Sequence, residues 1–270
     1  MAIAQILAAA LAATAADNPC PPQPVMGPEL QAWRTSVYAG GNTKMIPPPI
    51  EAATAYRNAY LEARKTDWAD LCRFRADDLR LIALPAAERQ VVFMGDSITD
   101  AWQYGDAGFF AKGWIDRGIS GQTTSQMLLR FPTDVLALKP KVVHILAGIN
   151  DIAGNTGAVS LDTIEANIAA MVTLAKAAGI RVVVSAVLPA ARFSWKPEVD
   201  PVPQVRALNA RLKALAAREK VGFVDYTPVL GQPDGAMKGP LSLDGVHPNG
   251  AGYAAMRPLA KKAVAAALAR

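Results

Sequence analysis

From residue 90 onward the chain alternates short apolar runs rich in β-branched residues with stretches of helical character, which leaves it few folds. The apolar runs are Val91 to Met94, Trp114 to Ile119, Val142 to Leu146, Val182 to Val187 and Phe223 to Val224. Helical stretches follow at Thr124 to Phe131, Leu161 to Ala178, Val202 to Lys220 and Gly250 to Ala269. A strand that is apolar on both faces must be covered on both faces, and crossover helices do the covering. The pattern predicts an α/β protein: a three-layer α/β/α sandwich around a mostly parallel five-stranded sheet. Ligands of such sheets bind beyond the carboxyl ends of the strands, so those ends are where chemistry is to be sought.

With 270 residues, 51% of them hydrophobic, there is ample material for a sizeable core. The net charge of +5 comes from scattered Lys and Arg with no basic run, so no nucleic-acid partner is expected. The first sixteen residues, "MAIAQILAAALAATAA", carry no side-chain charge and end in small residues. They read as a signal peptide, predicting a periplasmic or secreted protein; without a signal it would be cytoplasmic. The stretch is too short for stable membrane insertion. Residues 17–87 form an N-terminal extension. Its first part, to about residue 50, is rich in Pro, Gly and Asn and reads as irregular surface chain. Ala52, Tyr56, Tyr60 and Ala63, then Trp68, Leu71 and Phe74, have helical spacing and predict one or two amphipathic helices. Cys20 and Cys72 either form a disulfide or remain two unpaired thiols.

The stretch "VVFMGDSITD" places Ser97 just past the first buried run, with Gly95 two residues earlier to let the backbone turn. A serine hydroxyl needs a base to become a nucleophile, normally a histidine, and the chain has two. His144 lies mid-strand in "VVHILAG" and reads as a core residue. His247 lies in the loop "LDGVHPNGAGY", with Asp244 three residues earlier, near enough across a tight turn to orient the imidazole. Two further strand ends offer hydrogen-bond donors for a developing oxyanion: Gly121 in "GISGQT", and Gly148 with Asn150 in "LAGIND".

In this order the four segments resemble the blocks of the SGNH or GDSL hydrolases. "GDSI" matches the first, "GISGQT" the second, "GIND" the third and "DGVH" the fourth. "DRGISGQTTSQMLLRF" is similar to the subgroup related to platelet-activating-factor acetylhydrolase. The resemblance implies a flavodoxin-like SGNH hydrolase domain over residues 88–270. It implies a Ser97, His247, Asp244 triad, and an oxyanion hole from the N–H groups of Ser97 and Gly121 and the side chain of Asn150. The implied activity is a serine esterase acting on a small-molecule or carbohydrate ester; no long apolar segment suggests a lipase lid, so short-chain esters are favoured. An acyltransferase using the same triad, or a binding module on an inactive scaffold, are the alternatives.

There is no G-x-S-x-G elbow, P-loop, HExxH or CxxC, and no metal or cofactor is expected. Trp102, Tyr104 and Trp195 are candidates to line the substrate pocket, unless they pack the extension against the core. Arg192 is a candidate for an anionic or hydroxyl-rich substrate, or a solvated surface residue. The oligomeric state stays open.

Overall fold

A computed structural model describes residue 20 and residues 23–269, so the segment read as a signal peptide lies outside the described residues. The extension contributes α1 (Pro28–Tyr38), α2 (Ile50–Ala63) and α3 (Arg75–Ala83). Then come β1 (Val91–Gly95), α4 (Ser97–Gly105), β2 (Trp114–Gly118), α5 (Thr124–Phe131) and β3 (Val142–Leu146). The chain continues with α6 (Leu161–Ala177), β4 (Arg181–Ser185), α7 (Pro201–Glu219), β5 (Gly222–Val224) and α8 (Gly250–Leu268).

All five strands pair in parallel, in the order β2-β1-β3-β4-β5. The expected three-layer sandwich is therefore present, and its sheet is parallel throughout. Every residue of β1 and β3 is buried, as their largely apolar sequences require. From β1 the chain first moves outward to β2 and then returns past β1 to build the other half of the sheet. That reversal opens a crevice between the carboxyl ends of β1 and β3. Ser97 follows the first of these strands and Asn150 the second.

Helices α4 and α8 pack on one face, with α6 and α7 on the other and α5 against α6. Beneath α4 the core is aromatic. Phe93 meets Trp102 and Phe109 edge-on, at ring-centroid distances of 6.0 and 5.1 Å, and Trp102 stacks on Phe109 at 4.2 Å. Trp102 is fully buried, which corrects the expectation that it contacts substrate. With Ile98 and Ala101 it forms the i, i+3, i+4 stripe that α4 turns inward. His144 is also fully buried; its Nε2 lies 3.1 Å from the Tyr226 hydroxyl. Burial lowers its pKa to about 3 and keeps the ring neutral.

The extension departs from its reading in two places. The proline-rich stretch contains α1, whose first position is Pro28, where the missing N–H costs nothing. Buried Arg34 of α1 pairs with Asp100 of α4 at 2.8 Å and lies over the Tyr104 ring, 4.4 Å from its centroid. The second amphipathic helix does not include Trp68 and Leu71, which sit in a run of turns. There the Asp67 carboxylate accepts the N–H groups of Leu71 and Cys72, an alternative to helical bonding. Cys20 and Cys72 form a disulfide across 52 residues. No described helix is long and apolar enough to cross a membrane.

Closing a loop of that length should stabilise the fold by about 4 kcal/mol. Replacing both cysteines by serine should lower the urea midpoint by a corresponding amount; an unchanged midpoint would show that the extension does not share in global unfolding.

Candidate active site

The junction of β1 and α4 sets the position of Ser97. A side chain on Gly95 would come within 2.9 Å of the Leu146 carbonyl oxygen and collide with Thr99, so glycine serves close approach here rather than the turn expected of it. Asp96 caps α4 by accepting the Ile98 N–H at 2.9 Å. Burial pushes the Asp96 carboxyl up to about 7 against the pull of that bond. Ser97 is thus the first residue of the helix, half-buried at the rim, and its N–H has no partner in the preceding turn.

His247 arrives on a short, internally bonded loop before α8. Ser242 Oγ accepts the Gly245 N–H at 2.8 Å and donates to the His247 carbonyl at 3.0 Å, and the Leu243 N–H reaches the same carbonyl at 2.9 Å. Asp244 Oδ1 accepts the N–H groups of Val246 and His247, at 2.9 and 2.8 Å. Its other oxygen, Oδ2, lies 2.7 Å from His247 Nδ1. Burial alone would raise the Asp244 pKa, but the imidazole and the two N–H groups draw it down to about 2. Because the ionised carboxylate can only accept, Nδ1 carries the proton and Nε2 is left basic. That Nε2 lies 2.9 Å from Ser97 Oγ. Burial would lower the His247 pKa; the Asp244 carboxylate outweighs it, and the pKa is raised above the ordinary value.

On the other side of Ser97, Gly121 has φ of +81°, a conformation glycine adopts without penalty, and its N–H meets no acceptor among the described residues. Buried Asn150 donates through Nδ2 to the Gln122 carbonyl at 3.0 Å, while its Oδ1 accepts from Asn155 Nδ2 at 2.9 Å. The amide is held with Nδ2 toward Gln122, and one of its two hydrogens remains for a ligand. Asn155 also donates to the Gly121 carbonyl at 3.2 Å and accepts from Trp195 Nε1 at 3.3 Å. The Trp195 ring, 39% exposed, lies 6.3 Å from that of His247.

The remaining candidates lie elsewhere. Tyr104 sits two helical turns beyond Ser97, about 10 Å at the α-helical rise, and lines a cavity of about 770 Å³ along β2. Arg192 lines a different cavity of about 310 Å³, which Asp244 and Gly245 also line. Three supporting residues carried no signal that stood out in the sequence. Asn155 lies in an ordinary loop. Gln122 and Arg130 are fully buried beneath the Gly121 loop, where Arg130 donates to Gln122, to Asp134 and to the Gly95 and Arg117 carbonyls. Asp151 likewise caps α5 through the Thr124 N–H and hydroxyl, tying the third segment to the second.

With two histidines in the chain, each can be followed separately by NMR titration. His247 should titrate above 6.5 and His144 should stay neutral to strongly acid pH. Asp244→Asn removes the carboxylate but leaves the burial, so the His247 midpoint should drop. A midpoint that Asp244→Asn leaves in place would contradict the pairing.

The sequence pattern of the GDSL-like Lipase/Acylhydrolase family matches residues 93–255, a range that includes Ser97, Gly121, Asn150, Asp244 and His247. Esterase TesA of Pseudomonas aeruginosa is 29% identical over 183 residues, which are 63% of this chain and 85% of TesA. A crystal structure of a GDSL-like lipase from Bacteroides thetaiotaomicron VPI-5482 is 44% identical, with a TM-score of 0.70 over 74% of this chain and 98% of that one. A protein from Bacteroides fragilis NCTC 9343, also 44% identical, gives 0.72 over 75% and 99%. Matched over more than half its length, this chain belongs to the GDSL-like lipase/acylhydrolase family and is a carboxylic ester hydrolase.

Proposed function

We propose that hydrolysis proceeds through an acyl-enzyme on Ser97, with short-chain esters as substrates and acetylated carbohydrates or small aryl and lipid esters as the leading types. The observation that carries this reading is the unbroken hydrogen-bonded chain from Ser97 Oγ through His247 to Asp244, at 2.9 and 2.7 Å. Ser97 Oγ bonds to the carbonyl carbon as His247 Nε2 takes its proton, and the carbonyl π pair moves onto oxygen. The N–H groups of Ser97 and Gly121, with Asn150 Nδ2, hold the resulting oxyanion. The intermediate collapses, and the leaving alcohol takes the proton from His247. Water then attacks the acyl-enzyme with His247 again as base, releasing the acid and restoring Ser97.

Support for a small acyl group comes from the surroundings of the triad. Ser97 and His247 are half-buried near an exposed tryptophan and the exposed Asn155, a rim rather than a deep channel. A flat indole beside the imidazole suits a sugar or aryl ring. Residues 88–270 form the catalytic unit in this reading and residues 17–87 an extension of it. The Cys20–Cys72 disulfide favours an exported protein, because such bonds persist in oxidising compartments.

Ser97→Ala should lower kcat by about four to six powers of ten and Asn150→Ala by about two to three. Wild type should prefer acetyl to octanoyl esters of the same alcohol. Near-normal turnover by Ser97→Ala would overturn the mechanism, and a preference for octanoyl would overturn the substrate assignment.

A further inference from the structure

Beside the oxyanion loop, and built mostly by the N-terminal extension, is a cavity of about 220 Å³ that the family resemblance does not account for. Its lining includes Arg34, Tyr56, Arg57, Tyr60, Arg73 and Ser120. All but Ser120 precede residue 93, where the family match begins.

Its position follows from two short links. Asp100, also in the lining, is three residues after Ser97 on α4 and so lies on the same side of that helix. Ser120, immediately before Gly121, donates to Asp100 Oδ2 at 2.6 Å. The cavity is therefore lined by residues of the two segments that carry Ser97 and Gly121. Arg34 is close enough for its charge to oppose protonation of His247.

Its chemistry is cationic. Arg34 is neutralised by Asp100, but the Arg57 side chain makes no hydrogen bond or ion pair to any described residue. Arg73 spends one donor on the Pro24 carbonyl at 3.2 Å and has no carboxylate partner among the described residues. Two guanidinium groups thus face one cavity without a matching anion. A guanidinium presents a planar fork of donors that fits a carboxylate or phosphate. Tyr56 and Tyr60, one turn apart on α2, add near-parallel rings inclined at 7°, a surface on which a sugar or aryl ring can lie.

We propose that this cavity is a specificity subsite for an anionic group, carboxylate or phosphate, carried on the alcohol portion of the ester. It rests on the reading of Ser97 as nucleophile with a small acyl group, which leaves the larger, alcohol portion to reach toward Arg57 and Arg73. The extension then selects the substrate, while the sandwich supplies the reaction.

The test compares 4-acetoxybenzoate and 4-acetoxyphenyl phosphate with the neutral methyl 4-acetoxybenzoate. For wild type, kcat/KM should favour at least one anionic ester over the neutral one, and which one identifies the group. Arg57→Ala should reduce that anionic-to-neutral ratio about tenfold, chiefly through KM; Arg57→Lys should recover part of it, and added salt should shrink the preference. Arg57 lies on the exposed side of α2, so the variant should fold. Calorimetric binding of the same three compounds to Ser97→Ala reads the subsite without turnover and should show the same ranking. A ratio and a binding ranking that do not respond to Arg57→Ala would overturn the subsite. Normal turnover by Ser97→Ala would instead overturn the nucleophile assignment.

Discussion

The 2.9 Å contact between Ser97 Oγ and His247 Nε2 joins residues 150 positions apart, and the rest of the molecule is arranged to hold its two ends. One end is fixed by the sheet: β1 is buried along its whole length, Gly95 lets the Thr99 side chain close in, and Asp96 caps the helix that Ser97 begins. The other end is fixed by the loop before α8. There Asp244 binds two backbone N–H groups with one oxygen and the imidazole with the other. The Tyr253 hydroxyl of α8 donates to the Ile98 carbonyl at 2.8 Å, so the helix after the histidine is bonded directly to the helix after the serine.

A second buried network lies under the donors of the proposed oxyanion hole. Arg130 gathers the carbonyls that end β1 and β2, and Gln122 relays its position to the loop carrying Gly121. Burying a guanidinium is costly unless its donors are satisfied, and here Asp134, Gln122 and two carbonyls satisfy them. Gln122 Nε2 also bonds to Asp70 and to the Ala69 carbonyl, so the disulfide-tied part of the extension touches the same loop. The extension thus meets the site at the Gly121 loop through Gln122, at α4 through Arg34, and just after His247 through Asn42, whose carbonyl accepts from Asn249 Nδ2 at 2.6 Å.

The sheet was legible because its central strands β1 and β3 are almost wholly apolar and buried on both faces, which is a strong signal in a parallel α/β protein. The pairing of Ser97 with His247 was legible because the chain has one other histidine, and that one sits within a strand. Trp102 lies close to the serine in sequence, which suggests a pocket residue, but its spacing from Ile98 and Ala101 marks the buried face of a helix. Helix α1 was hidden because Pro and Gly dominate its flanks, yet Pro28 is where a helix tolerates proline best. Asn155, Gln122 and Arg130 act through contacts between loops distant in sequence, and no local pattern encodes such contacts. Arg57 and Arg73 look like two of many scattered cations until α2 and the turns around Cys72 are folded beside Ser120.

The most direct measurement is covalent trapping with a fluorophosphonate, which reacts with a serine hydroxyl activated by a neighbouring base and gives a stable adduct. Peptide mapping of the folded protein should place a single adduct on Ser97, and His247→Ala should slow its formation sharply. Labelling at another residue, or none, would contradict the account.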